Sequence, residues 1–167
     1  ATASSSATID FTLGDYKEYQ FYFVNIHPAT DGAELEFNVS IDSGSNYNVT
    51  KTSTMIFSYH NEADSGTYLA YNTSRDLAQG TGYQRLTANI GADNDQSGVG
   101  SLSVFNPSSD TFVKHFIARC THYSDDNYSA SNFSAGYANT TSALTNIRFQ
   151  MSAGNIDSGQ ILCYGIN

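Results

Sequence analysis

The strictest constraint in this chain is a residue alternation of period two that recurs in short runs almost from end to end. Leu35, Phe37, Val39 and Ile41 alternate with Glu34, Glu36, Asn38 and Ser40, the pattern of a strand with one buried and one wet face. Ile9, Phe11 and Leu13 share a face opposite Asp10 and Thr12. Tyr19 to Ile26 is almost continuously apolar or aromatic, as in a strand covered on both faces. A helix places neighbours every 3.6 residues and cannot segregate such runs.

Turn chemistry punctuates the runs. Pro28 to Gly32 predicts a hairpin over 19–41, Asn106 to Asp110 one between Val99–Phe105 and Phe112–Cys120, and Ala153 to Gly159 one between Thr145–Met151 and Gln160–Ile166. Met55–Tyr59, Tyr68–Tyr71 and Gln84–Ile90 add shorter strands, and a single helical turn is expected near Arg75 to Ala78. About ten strands predict an all-β fold: a two-sheet antiparallel β-sandwich, jelly-roll-like, over residues 9–167. Residues 1–8 have no apolar period and read as a flexible Ser/Thr/Ala lead-in. Together with a non-Met start, they suggest a piece of a longer chain or a processed product.

Composition narrows the function. Ser, Thr and Asn make up about a third of the 167 residues, and these compete locally with helix hydrogen bonds. Seven Lys and Arg against 16 Asp and Glu give a net charge of −9. Nucleic-acid binding needs clustered cations, which this chain lacks. No apolar run is long enough to insert in a membrane.

No pattern points to catalysis, and no catalytic residue is assigned. The histidines His27, His60, His115 and His122 sit in no metal-ligand frame, and no nucleophile elbow or phosphate loop is present. Adjacent acids such as Asp125 and Asp126 are expected in a solvated turn. Cys120 and Cys163 fall on strands, where they read as buried thiols, or as a bridge if their Cα atoms lie within about 7 Å. Asp93, Asp95 and Ser97 match the opening half of a calcium loop, but Val104 stands where the closing Glu should be; the other reading is a polar turn. Six Asn-x-Ser/Thr triplets reflect composition, and Asn38 lies on a strand.

The binding candidates are two tyrosine-rich segments. Tyr59, His60, Glu62, Asp64, Tyr68 and Tyr71 surround one loop, and Tyr123, Asp125, Asp126 and Tyr128 line another. Rigid aromatics beside short polar groups suit recognition; the alternative is that the rings pack on their own strands or on neighbouring subunits.

Several strings carry a resemblance: Asn25-Ile-His-Pro-Ala-Thr-Asp31, Leu77-Ala-Gln-Gly80, Phe105-Asn-Pro-Ser-Ser109, Val113-Lys-His-Phe116, Ser152-Ala-Gly-Asn-Ile-Asp157 and Tyr164-Gly-Ile166. In this order, over about 9–166, the chain resembles uncharacterised virion structural proteins of tailed bacteriophages, many from marine hosts, in which the segment looks like a C-terminal module. The resemblance implies a place in the virion and carries over no catalytic residue. A non-enzymatic structural module is therefore expected: capsid decoration, head fibre or tail-fibre component. Its partners would be sister subunits, in a trimer or another symmetric assembly covering the strand edges, and other virion proteins. The alternative is a receptor- or carbohydrate-binding tip that reads a host surface glycan with the tyrosine loops. The lack of Trp weakens the sugar reading.

Overall fold

The computed structural model describes all 167 residues and contains no helix. Eleven strands run β1 (Ile9–Thr12), β2 (Glu18–Pro28), β3 (Leu35–Ser40), β4 (Lys51–Asn61), β5 (Thr67–Tyr71), β6 (Gln84–Arg85), β7 (Gly98–Phe105), β8 (Lys114–Tyr123), β9 (Tyr128–Ala138), β10 (Asn146–Met151) and β11 (Ile156–Ile166). They form two antiparallel sheets, β1-β10-β3-β6 and β11-β2-β7-β8-β9-β4-β5. The β-sandwich expected from the alternation is the fold.

The core lies between the sheets. Phe37 and Phe149 of the small sheet meet Phe21, Phe23, Leu102 and Phe116 of the large one, all at most 2% exposed. Phe149 sits centrally, with the rings of Phe21 and Phe23 at 5.2 and 5.4 Å. Four strands cannot cover seven. The remaining inner face, on β8, β9 and β4, is roofed by the segment 72–90, which hydrogen-bonds Leu77 N to Ser53 Oγ and packs Ala88 on Phe57 and Ala130.

Of the three expected hairpins, only 99–120 forms, as β7 and β8. Residues 19–41 do not pair with each other: β2 enters the large sheet and β3 the small one, so Pro28–Gly32 carries the chain across the core. Residues 145–166 split in the same way into β10 and β11. Both pairs of runs have one strongly apolar face, and burial is served equally well by facing across a sandwich as by lying side by side. The expected helical turn at 75–78 is only a turn and bend.

Strand β9 shows no apolar alternation in the sequence, because its inward residues are Ala130, Asn132 and Ser134 rather than large apolar groups. Residues 1–8, expected to be a flexible lead-in, lie along β11, with Ala3 N on Gly159 O, Ser6 N on Ile156 O and Ala3 buried. Where β2 crosses β11 the ladder bulges: Asn25 takes φ 50°, and Gly159 at φ 113° has no room for a Cβ, which would lie 2.5 Å from Asn25 O.

Strand β3 is buried on both faces, which corrects the half-wet reading. Glu34, 5% exposed, meets Arg75 Nε at 2.7 Å and Arg85 Nε at 2.8 Å. Glu36 accepts from Gln150 Nε2 at 2.8 Å, and burial raises its carboxyl above the usual range. Asn38 donates to Tyr47 O and Thr81 O and accepts from Lys51 Nζ. Ile41, expected inside, is 45% exposed because the strand ends at Ser40. Cys120 and Cys163 are both free thiols, the first buried.

Candidate functional site

Two surfaces could meet a partner. The first is a cleft of about 560 Å³ at one end of the large sheet, lined by His60, Asn61, Glu62, Asp64, Thr121, His122, Tyr123 and Ser129. It forms because β4 and β9 are neighbours whose turns meet: Asn61 pairs with Tyr128, and Glu62 N donates to Asn127 O. The structure thus brings the two tyrosine-rich segments together, although only part of each faces the cleft. His60 Nε2 lies 3.0 Å from Asp64 Oδ1, both well exposed. The Glu62 carboxylate beside Tyr123 pushes the phenol's pKa up. These groups can hydrogen-bond to hydroxyls.

The other tyrosines turn away. Tyr59 stacks on Tyr68 at 5.6 Å and tilts on Tyr128 at 4.5 Å, a self-packed aromatic group against Phe57. Tyr71 donates to Asp76 Oδ2 at 2.6 Å. Asp125 is half-buried beside Gly32; its carboxyl is raised by burial, then by the charges of Asp126 and Asp31. It lies outside the cleft, as does Asp126.

The loop holding Asp93, Asp95 and Ser97 closes on buried Gln96, whose Oε1 accepts from Asp93 N while its Nε2 donates to Ser124 O. Both aspartates are exposed, and no group of three or more His, Cys, Asp or Glu gathers in metal-holding geometry anywhere. Calcium binding at this loop stands as a proposal tested by whether a chelator lowers Tm.

The second surface is the outer face of the large sheet, which no single motif announced. Eleven of the chain's fifteen exposed large hydrophobic residues point from it. Strands β11 and β2 contribute Tyr164, Ile166, Tyr22 and Val24; β7 contributes Val99 and Phe105; β8 and β9 contribute Ile117 and Phe133; β4 and β5 contribute Ile56, Leu69 and Tyr71. Between these knobs lie shallow apolar hollows, one of about 520 Å³ floored by Ala135 beneath Phe105, Ile117 and Tyr137. Apart from Asp157 at the bulged start of β11, the face carries within these strands only Glu18 and Arg119 as charged groups, besides His60 and His115, although the chain holds 16 acids. The signal was present in the sequence as the continuous apolar run of β2, read as a strand covered on both faces; its outward Tyr22 and Val24 are 41% and 38% exposed.

A polar interior behind the cleft has no motif in the sequence. His122 is 4% exposed with neither ring nitrogen hydrogen-bonded, and Asn132 and Ser134 are equally unpartnered. Burial, helped by the nearby Arg75 charge, pulls the His122 pKa from 6.5 down to about 4. The imidazole therefore folds neutral. Below pH 6.5 the unfolded chain takes up a proton that the folded chain refuses, so stability falls as pH drops from 6.5 towards 4. The loss expected from this group is about 3 kcal/mol. Thermal melts across that window should show the fall in the natural protein and a flatter profile in His122→Leu; identical slopes would contradict it.

Comparison with known protein families finds no family model that matches the chain, and comparison with curated proteins finds no match.

Proposed function

We propose that the chain is a non-enzymatic structural module of a tailed-bacteriophage particle, acting in capsid decoration, a head fibre or a tail fibre. The resemblance of its sequence strings to virion structural proteins supplies the context. The observation that carries an assembly role is the apolar, charge-poor outer face of the seven-stranded sheet, which is costly to leave wet and typical of a surface that becomes buried. The proposal is tested by peptide mass spectrometry and antibody labelling of gradient-purified particles. The chain is expected in intact virions at a fixed copy number and on their outside. Its presence only in the soluble lysate would overturn the reading.

The cleft favours a second reading, a tip that binds a host glycan through Tyr123, Glu62 and His60. Tyr123 and Glu62 are surface groups at this cleft, so Tyr123→Ala with Glu62→Ala should leave particles intact. If the tip reading holds, these particles lose adsorption to host cells; if adsorption per particle is unchanged, the cleft is not a receptor site.

A further inference from the structure

We infer that the outer face of the seven-stranded sheet is covered by a second copy of this same chain, with Glu18 of each copy meeting Arg119 of the other. The inference rests on the geometry of the isolated fold and deepens the assembly role proposed above.

Size comes first. Seven strands at ~4.8 Å spacing make a face about 30 Å wide, and the eight residues of β7 at ~3.3 Å make it about 25 Å long. That is roughly 750 Å², close to the ~800 Å² that each partner gives to a stable interface. Relief comes second. Large side chains such as Phe105 and Phe133 stand beside small outward residues, Ser101, Ser103, Ser131 and Ala135, so the face carries both knobs and the holes to receive them.

Charge selects the partner. A chain of net charge −9 repels its own copies over most of its surface. The outer face is the exception: apart from Asp157 at the bulged start of β11, its outward side chains include one acid, Glu18, and one arginine, Arg119. Arg119 is exposed and has no ion-pair or hydrogen-bond partner within the chain, and Glu18 accepts only from the neighbouring Gln20 at 3.0 Å. Arg119 lies opposite Ser101 in the ladder, while Glu18 lies opposite Phe105 on the other side of β7. The two charges thus sit diagonally about Ser103 of β7, the strand between β2 and β8. A two-fold operation that exchanges these positions satisfies both charges twice, because in an isologous contact residue i meets j and j meets i. The outward apolar residues of β2 then acquire the second covered face that its sequence pattern calls for.

Sedimentation equilibrium of the purified chain between 1 and 100 µM tests this. Association is expected, and both Phe133→Asp and Ile117→Asp should abolish it; both residues are more than 40% exposed, so the variants should keep the circular dichroism of the parent. Arg119→Glu alone and Glu18→Arg alone should each weaken association by roughly tenfold or more, and the double exchange should restore most of it. A chain that stays monomeric at 100 µM overturns the inference. So does an oligomer that survives both aspartates, which would place the contact elsewhere. A double exchange no better than the singles removes the Glu18–Arg119 pairing. None of these outcomes depends on whether the chain is found in a virion.

Discussion

Truncating Phe149 to Ala should lower the unfolding free energy by about 3–5 kcal/mol. Phe149 is fully buried on β10, in edge or tilted contact with Phe11, Phe21, Phe23 and Phe37, so its ring joins the small sheet to β2. Its removal opens a cavity walled by rigid strands on both sides, which cannot collapse to refill it. A domain of this kind has only about 5–15 kcal/mol in hand, so the variant sits close to unfolding. Urea denaturation at fixed protein concentration measures the change, and a loss below about 1 kcal/mol would mean that the sheets do not meet at this ring.

Glu34→Ala should cost a comparable amount, about 3–5 kcal/mol, for a different reason. The carboxylate is 5% exposed and holds two guanidiniums, Arg75 and Arg85, against the outer face of β3. Without it Arg75 keeps only the Asn89 amide oxygen, at 3.0 Å, and the roof over the inner face of β8, β9 and β4 loses one of its anchors. Glu36→Ala should cost less, about 1–2 kcal/mol, because it strands only the Gln150 amide. Equal effects at the two positions would contradict the roofed geometry.

These two residues show what the sequence could and could not convey. The inward positions Leu35, Phe37 and Val39 follow from alternation, because apolar groups on one side of a strand have a single favourable destination. Glu34 and Glu36 carry the opposite signal, yet they are buried. The segment that covers them comes from residues 72–90, far along the chain and poor in apolar residues, and its arginines serve as partners only once the fold has formed. The same holds for Lys51, wholly buried with Nζ on Asn38 Oδ1 and Val49 O, its pKa drawn down by burial to about 7. A lysine at a strand start looks like a solvated flank until a loop closes over it.

Which strands pair was less legible than which strands exist. Of the three tight turns, Asn106–Asp110 folds its flanks into neighbours, whereas the turns after β2 and β10 send the chain to the opposite sheet. Turn chemistry specifies a reversal and not the layer in which the next strand lands. The cleft was legible in part, since both of its turns were singled out as loops, but Tyr59, Tyr68 and Tyr128 were drawn into their own stack.

The central claim, that the outer sheet face is an assembly surface, is tested most directly by hydroxyl-radical footprinting of the associated chain against its Phe133→Asp variant. Tyr22, Phe105, Tyr137 and Tyr164 on the face should be oxidised several-fold more slowly in the associated protein, while Phe112, 68% exposed in a loop, and Tyr68, on the other side of β5, should react equally in both. Equal oxidation of the face residues in the two proteins, or protection confined to Phe112 and Tyr68, would contradict the account.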